Sequence, residues 1–338
     1  MHGAECKEQG GVFNCLYFKG SLFHAPCPML PANYPREGVN RNLYLYIKQK
    51  PMKKILPFLI FLIAILLSCN QEKGINLEVL TLNIRYDNPA DAPNDWPSRK
   101  NFVLSFLEDE APDIFGLQEA LWHQYHFLDS ALAGYESIGA GRDDGKRKGE
   151  MTPVFYREDR FRAIDSGTFW LSETPDIPGS RGWGAVLPRI VTWVELQENP
   201  SEESFFFFNT HYSHMSDSAR LMSSKIILEE VKKIAGDSPF VLTGDFNMLP
   251  ESEAYATLTE GGKVDALIID SYLISETEPS GLAYTFNGFR DEEGEGRIDY
   301  IFVSKGARVL SHETKGPKQG ELFLSDHWPV KATVILSP

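Results

Sequence analysis

Short apolar runs alternate with amphipathic stretches from Leu77 to the C-terminus, and this alternation constrains the fold more than any other feature of the sequence. The apolar runs, rich in β-branched and aromatic residues, predict strands; they include LEVLTLNI, DIFGLQE, TPVFYR, RAIDSGTFWL, RIVTWVEL, FFFFNTH, SPFVLTGDF, GRIDYIFV and VKATVIL. Helices are predicted for SRKNFVLSFLEDE, with Ser98 as its expected cap, ALWHQYHFLDSAL and SARLMSSKIILEEVKKIAG. Because no linker or internal repeat interrupts it, the pattern predicts one layered α/β domain over residues 77–338.

A segment with the pattern of a signal sequence precedes this region. Met52 begins MKKILPFLIFLIAILLSC, in which two lysines are followed by an apolar run that ends in Leu-Ser-Cys. This pattern is typical of a secretory signal and resembles a bacterial lipobox, which predicts a signal peptide over residues 52–69 and lipidation of Cys69. A transmembrane anchor is the alternative, but the run from Ile55 to Leu67 is shorter than the about 20 residues that a span needs. The sequence therefore predicts an exported, lipid-anchored protein of the cell envelope, on the periplasmic face or the cell surface.

The cysteines lie outside the predicted domain. Three of the four, Cys6, Cys15 and Cys27, fall in residues 1–51 without metal-type spacing. We interpret residues 1–51 as an over-extended gene start or an unstructured leader, and residues 70–76 as a short linker. Beyond Cys69 there is no cysteine, so the exported domain must be stabilised by its own core, for which roughly 269 residues are enough.

The acidic balance is strongest in the predicted domain. The whole chain has 33 Lys and Arg residues, 47 Asp and Glu residues and a formal net charge of −14. Eight of the basic residues but only three of the acidic ones precede Asn70, so the rest of the chain carries a net charge of −19. Because nucleic-acid binding depends on neutralisation of phosphates by Lys and Arg, this charge disfavours a general nucleic-acid binder. It is compatible with a small phosphorylated substrate that is reached through a metal.

Six apolar runs end in, or carry, residues that can bind a metal or transfer a proton. These residues are Asn83, Glu119, His211, Asp245 with Asn247, Asp299, and Asp326 with His327. Ligand sites in α/β folds gather at strand ends. Each residue alone has an ordinary explanation as a turn or a helix start, but six together indicate a functional site.

The chemical types in this set agree with one another. Carboxylates and amides without thiolates suit a hard cation, Mg²⁺ or Mn²⁺. An Asp near a His can orient the imidazole and stabilise its protonated form. These are the groups needed for metal-assisted hydrolysis of a phosphate ester.

The motifs LNIR, LQE, NTHYSH, GDFN, RIDYIF and SDHWPV occur in an order and spacing that resembles the endonuclease/exonuclease/phosphatase superfamily, which has the deoxyribonuclease-I-like fold. The resemblance implies a four-layer α/β sandwich, in which two packed mixed β-sheets are flanked by helices, in a single domain. It also implies Mg²⁺-dependent phosphoester cleavage. The stretches FWLSETP and PRIVTW further resemble a bacterial branch of the family without an assigned substrate.

The resemblance also implies metal ligands. Glu119 would be the principal ligand, with Asn83 and Asp326 nearby, directly or through water.

The remaining residues of the set would perform catalysis. Asp245 would orient or activate the attacking water and would be held by Asn247. Asn247 and His211 would donate hydrogen bonds to phosphoryl oxygens as charge develops. Asp299 would pair with His327, whose role as base, acid or electrostatic stabiliser stays open.

Two positions depart from the family pattern. Ser213 stands where many members have an Asp, and Arg85 stands where some nucleases have an acidic residue. A cation at position 85 suits a substrate phosphate, which argues against a second metal and against a nuclease. Arg189 is a second candidate for a substrate phosphate, with a surface ion pair as the alternative.

The sequence thus favours a monomeric, lipid-anchored, Mg²⁺-dependent phosphatase or phosphodiesterase. Its expected substrate is a phosphorylated small molecule or lipid headgroup, such as a phosphosugar, inositol phosphate or phospholipid headgroup, and only the lipid anchor would contact the membrane. An extracellular nuclease on the same fold is the first alternative. A non-catalytic binding lipoprotein is a second alternative, disfavoured because the whole catalytic set is present. A structural envelope protein, in which the strand-end residues would be turns, is the third.

Overall fold

The computed structural model describes residues 6–9, 12–15, 74–260, 263 and 266–337. The chain divides into two units, Met1–Gln71 and Glu72–Pro338. In the first unit, strands β1 (Cys6–Gln9) and β2 (Val12–Cys15) form an antiparallel hairpin. The predicted signal peptide and its Cys69 lie outside the described residues. Within the described part of the chain, no helix is both long enough and apolar enough to cross a membrane.

The second unit contains most of the strands and all of the helices described below. Its strands are β3 (Ile75–Asn83), β4 (Ile114–Gln118), β5 (Tyr135–Ile138), β6 (Val154–Arg157), β7 (Phe161–Trp170), β8 (Ile190–Glu198), β9 (Ser204–His211), β10 (Phe240–Asp245), β11 (Ile268–Asp270), β12 (Ser280–Gly281), β13 (Asp299–Ser304), β14 (Arg308–Thr314), β15 (Lys318–Gln319), β16 (Leu322–Phe323) and β17 (Val330–Leu336). Its α-helices are α1 (Trp96–Glu110), α2 (Trp122–Ala131), α3 (Asp217–Ala235) and α4 (Glu253–Leu258), and a 3₁₀ turn spans Pro89–Asp91.

Two mixed sheets organise this unit. The six-stranded sheet has the order β11-β13-β10-β9-β8-β7, and the seven-stranded sheet has the order β12-β14-β17-β3-β4-β6-β5. The parallel pairs are β9 with β10, β3 with β4, and β12 with β14. β15 and β16 form a separate two-stranded ribbon.

The helices cover the outer faces of the sheets and leave an apolar layer between them. Leu77 and Val79 of the seven-stranded sheet pack in one cluster with Val241 and Ile301 of the six-stranded sheet. A second cluster joins the outer face of the six-stranded sheet to α3 and α4, and a third joins the seven-stranded sheet to α1 and α2. The four-layer α/β sandwich is therefore confirmed.

Three local predictions need correction. α1 begins at Trp96 with Asp95 as its cap, and Ser98 lies inside the first turn and donates its hydroxyl hydrogen to Asp95. β3 begins at Ile75, inside the segment predicted as a linker. β14 was not predicted, because its sequence RVLSHET is too polar for the apolar pattern.

Candidate active site

The inward faces of the strands change from apolar to polar along their length. Side chains alternate between the two faces of a strand, so Val79 and Asn83 of β3 face the same way. The same alternation places Val241 and Asp245 of β10 on one face. Val79 and Val241 lie in the inter-sheet core, and Asn83 and Asp245 meet through a hydrogen bond at its edge. The candidate site is thus the polar continuation of the inter-sheet core.

A buried layer of amides and hydroxyls separates this site from the apolar core. Gln118 Nε2 donates to Thr81 Oγ1 at 3.0 Å and to Asn209 Oδ1 at 2.7 Å. Thr243 Oγ1 donates to the same Asn209 oxygen at 3.1 Å. At Gly116 there is no room for a side chain, because a Cβ there would lie 2.4 Å from Asn209. This polar layer joins β4 of one sheet to β9 and β10 of the other.

Strand pairing aligns three of the predicted catalytic residues. Asp245, at the end of β10, lies opposite His211 on parallel β9 and opposite Asp299 on antiparallel β13. His211 Nε2 lies 3.4 Å from Asp245 Oδ2. The backbone register, which is set by the apolar strands, therefore fixes the spacing of this group.

Asn83 connects two carboxylates at the centre of the site. Its Nδ2 donates to Glu119 Oε1 at 3.1 Å and to Asp245 Oδ2 at 2.9 Å, while its Oδ1 accepts from the Arg85 backbone N–H at 2.9 Å. Asn83 was predicted near the metal as a ligand, directly or through water. In this structure its nitrogen faces the carboxylates and its oxygen faces the Arg85 backbone.

His327 lies between two carboxylates. Its Nδ1 is 2.9 Å from Asp299 Oδ2, the pairing that the resemblance implies, and its Nε2 is 3.7 Å from Asp245 Oδ2. Burial alone would lower the pKa of His327, but Asp299 and Asp245 more than offset it and raise the pKa well above its ordinary value. The two carboxylates therefore favour the protonated form of His327, which can donate a proton or a hydrogen bond.

The pKa values of Asp245 and His211 shift in the directions opposite to those expected for a simple ion pair. Burial, and then the neighbouring Asp299, raise the pKa of Asp245 to about 7. Burial, followed by the charges of Arg189 and Arg142, lowers the pKa of His211 well below its ordinary value. The site thus favours the neutral form of His211 and raises the pKa of Asp245 toward neutral pH, where a general base is most effective.

Arg85 lies against the predicted metal carboxylates. Its Nε is 2.8 Å from Asp91 Oδ2 and 3.6 Å from Asp326 Oδ2, and its Nη1 is 3.7 Å from Glu119 Oε2. Burial raises the pKa of Asp326 to about 6. Burial would lower the pKa of Arg85, but the hydrogen bond to Asp91 and the charges of the carboxylates raise it.

Three of the predicted site residues have a left-handed backbone, with φ of 57° at Arg85, 60° at Glu119 and 48° at Asn247. This conformation is costly for residues other than glycine and is concentrated at functional sites. Local bonds hold it: the Asn247 backbone N–H donates to Asp245 Oδ1, and its Nδ2 donates to the Tyr212 carbonyl.

Arg189 is buried, contrary to the surface ion pair that was its alternative. Only 5% of it is exposed, and its Nη2 lies 3.1 Å from His214 Nδ1. Among the described residues, no carboxylate forms an ion pair with it. Its neighbour Arg142 does have a partner, since Arg142 Nη1 lies 2.6 Å from Glu150 Oε2. Sequence reasoning missed Glu150, because an acidic residue at the end of a charged loop carries no distinguishing signal.

An open cavity of about 640 Å³ joins these groups. Eight of the ten predicted residues line it: Arg85, Glu119, Arg189, His211, Asp245, Asn247, Asp326 and His327. The other two do not line the cavity but contact residues that do: Asn83 bonds to Asp245, and Asp299 bonds to His327.

The residues fit a hard divalent cation. Ligand atoms of Glu119, His211 and Asp245 lie within 4.8 Å of one another, and of these three only Glu119 was predicted as a metal ligand, since His211 and Asp245 were predicted as catalytic groups. Burial raises the pKa values of Asp245 and Asp326, so a bound cation would stabilise their charged forms. The guanidinium of Arg85 already stands as a cation against two of the carboxylates. Carboxylate oxygens are the ligands that hard cations prefer.

Comparisons with known proteins agree with this geometry. A model of the endonuclease/exonuclease/phosphatase family matches residues 80–327. An endonuclease/exonuclease/phosphatase from Bacteroides vulgatus is 40% identical, with a TM-score of 0.74 over 78% of this chain and 100% of that chain. A mannosyl-6-phosphatase from Bacteroides thetaiotaomicron is 37% identical, with a TM-score of 0.71 over 77% of this chain and 100% of that chain.

Curated relatives are more distant. An uncharacterized protein of Acanthamoeba polyphaga mimivirus is 26% identical over 275 residues, which cover 75% of this chain and 98% of that protein. The other curated relatives, one of which is named as a 3′–5′ exoribonuclease subunit, share 21–28% identity with the chain, and the chain spans 26–60% of their length.

Proposed function

The chain belongs to the endonuclease/exonuclease/phosphatase family, and we propose that it is a Mg²⁺-dependent phosphatase or phosphodiesterase that acts on a phosphorylated small molecule or lipid headgroup. One observation carries the proposal. A single cavity holds carboxylates for a hard cation, a carboxylate with a pKa of about 7 and a protonated imidazole. Metal-assisted phosphoester hydrolysis can use a bound cation, a proton acceptor and a donor that stabilises the developing charge.

Within this class, we propose a sugar phosphate as the substrate. The mannosyl-6-phosphatase relative supports this choice, since it is 37% identical over its whole length. The net charge of −14 disfavours a polyanionic nucleic acid. A nuclease is the alternative, which the exoribonuclease among the relatives supports.

Glu119 and Asp326 would hold the cation, with Mn²⁺ as a substitute for Mg²⁺. The bound cation would act as a Lewis acid that polarises a phosphoryl oxygen. Asn83 positions Glu119 by its hydrogen bond to Oε1.

The remaining residues would move the proton and stabilise charge. Asp245 would accept a proton from the attacking water, since it lines the cavity beside His211 and burial raises its pKa above the ordinary value of a carboxyl group. His211 and Asn247, which line the cavity beside it, donate hydrogen bonds to phosphoryl oxygens. We propose that His327, which is held by Asp299 and whose pKa the neighbouring carboxylates raise, acts as a stabiliser of the developing negative charge or as an acid rather than as a base.

We also propose that the protein is exported and anchored through a lipid on Cys69. The signal-like segment MKKILPFLIFLIAILLSC supports this proposal. Mass spectrometry of the protein from a bacterial host should show a diacylglyceryl group on Cys69, and Cys69→Ser should release the protein from membranes. Fractionation of the unlipidated protein with the soluble proteins would refute the anchor.

The function is tested by assaying the full-length chain, in Mg²⁺ or in EDTA, on a panel of substrates. The panel comprises sugar phosphates, a phosphodiester, phospholipids, plasmid DNA and RNA. We expect Mg²⁺-dependent release of phosphate from sugar phosphates, which EDTA abolishes. Faster cleavage of DNA or RNA than of any small ester would establish the nuclease alternative instead.

A matched pair of variants ties the activity to the site. Glu119→Gln should lose at least about 100-fold in turnover, because it removes a carboxylate from the metal position. Glu198→Gln makes the same chemical change at a residue that pairs with Arg160 outside the cavity, and it should leave turnover unchanged. Equal turnover in the two variants would overturn the assignment of the site.

A further inference from the structure

Arg85 is held rigidly at its backbone. Its N–H donates to Asn83 Oδ1 at 2.9 Å, and its carbonyl accepts from Gln124 Nε2 at 2.9 Å. These bonds maintain the left-handed φ of 57°. Such a costly conformation indicates that the direction of this side chain matters.

The side chain is bonded to one carboxylate and only near two others. Arg85 Nε and Nη2 both donate to Asp91, at 2.8 and 3.3 Å. The distances of 3.6 Å to Asp326 and 3.7 Å to Glu119 are too long for hydrogen bonds. Arg85 can therefore retain its bond to Asp91 while its electrostatic contact with the other two carboxylates changes.

We propose that Arg85 is a built-in counter-cation that competes with the divalent cation for Glu119 and Asp326 and that then binds the terminal phosphate of the substrate. This inference rests on the proposed function and adds a specificity residue to it. When the divalent cation neutralises Glu119 and Asp326, the guanidinium of Arg85, still bonded to Asp91, is left to pair with phosphoryl oxygens. A guanidinium suits a phosphate because it offers parallel N–H donors. A dianionic monoester gains more from this extra charge than a monoanionic diester does.

The proposal predicts changes of opposite sign in a single variant. Removing the positive charge in Arg85→Gln should strengthen Mg²⁺ binding, because like charges repel, and should weaken phosphate binding. A general loss of structure would weaken both. This contrast separates a direct role of Arg85 from a merely structural one.

The test uses isothermal titration calorimetry on the full-length chain without substrate. Mg²⁺ should bind about tenfold more tightly to Arg85→Gln than to the wild type. Inorganic phosphate, titrated with Mg²⁺ present, should bind about tenfold more weakly, and dimethyl phosphate should change less. Arg85→Lys, which keeps the charge but not the forked geometry, should restore wild-type Mg²⁺ affinity.

Arg160→Gln is the matched control. Arg160 also lies between two carboxylates, at 2.6 Å from Asp113 and 2.6 Å from Glu198, but it does not line the cavity. Its variant should change neither affinity. Unchanged or weaker Mg²⁺ binding in Arg85→Gln, or unchanged phosphate binding, overturns the inference. If the wild type binds no Mg²⁺ and hydrolyses no phosphoester, the proposed function itself fails.

Discussion

Two buried clusters of charge lie near the same strand, β13, and one of them lines the active-site cavity. In the remote cluster, Arg297 Nη2 lies 3.0 Å from Asp270 Oδ2, and Tyr255 Oη donates to the same carboxylate at 2.8 Å. Two residues later, Asp299 begins the active-site group with His327. The remote cluster has one cation for one anion and does not line the active-site cavity.

The difference between the clusters teaches which buried charges indicate function. Asp270 is matched by Arg297, and no excess charge is left for a ligand. At the site, the carboxylates outnumber their partners, and burial raises the pKa of Asp245 and Asp326. Buried charge alone is found in structural ion pairs as well. Excess charge that opens to a cavity is the feature that indicates a ligand.

The largest expected effect comes from Asp245→Asn. This change removes the proton acceptor and should reduce turnover about 10⁴-fold, which corresponds to more than about 5 kcal/mol in the activation barrier. The free energy of unfolding should not fall, because the variant no longer buries a carboxylate whose pKa is raised. Steady-state kinetics and urea unfolding measure the two effects. A large loss of stability would show that Asp245 has a structural role, like the ion pair of the remote cluster.

Arg297→Ala should have the next largest effect, and we expect it to lower stability rather than turnover. It leaves Asp270 buried without its cation, which should cost about 4 kcal/mol in the free energy of unfolding. The double variant Arg297→Met with Asp270→Leu should recover most of this loss, because no unpaired charge remains. Urea unfolding monitors both variants. Loss of turnover in Arg297→Ala with unchanged stability would instead show that this cluster contributes to catalysis.

The two clusters should also respond to pH with opposite sign. Burial lowers the pKa of His312, which lies near Asp270 and Arg297, to about 4. Between the unfolded pKa of about 6.5 and pH 4, the unfolded chain binds a proton that the folded chain does not. The free energy of unfolding should therefore fall by up to about 3 kcal/mol as pH decreases through this window. Asp245 and Asp326 have the opposite effect in the absence of metal. Because their pKa values are raised in the folded state, they increase the free energy of unfolding as pH falls.

A difference measurement isolates the histidine. The free energy of unfolding of wild type minus that of His312→Gln should decrease by up to about 3 kcal/mol between pH 7 and pH 4. The Gln side chain keeps a polar partner for the Ser271 hydroxyl, which lies 2.9 Å from His312 Nδ1. A difference that stays constant over this range would show that His312 has the same pKa in the folded and unfolded states.

The sequence predicted the architecture because the strands carry clear period-two or apolar runs. It also indicated where the site lies, since residues such as Glu119 and Asp245 directly end such runs. The orientation and burial of individual side chains could not be predicted. Nothing in the sequence shows that the Asn83 side-chain nitrogen faces the carboxylates or that Arg189 is buried. These features depend on tertiary contacts between strands far apart in the chain. The remote cluster was missed for the same reason, because Tyr255, Asp270 and Arg297 come from separate segments of the chain. The nearby His312 was missed because β14, which carries it, has no strand signal of its own.

The smallest expected effect tests the polar layer that joins the apolar core to the site. Gly116→Ala adds a Cβ that would lie 2.4 Å from Asn209 and 2.6 Å from Thr243, so one of the two sheets must shift. We expect a loss of about 2 kcal/mol in the free energy of unfolding. Turnover should fall about tenfold, because Glu119 follows the same strand and small displacements of ligands are costly. Gly134→Ala is the control: a Cβ there meets nothing within 4 Å, so only its left-handed backbone, with φ of 85°, opposes the change. Unchanged turnover in Gly116→Ala at reduced stability would mean that the layer supports the core without positioning the site.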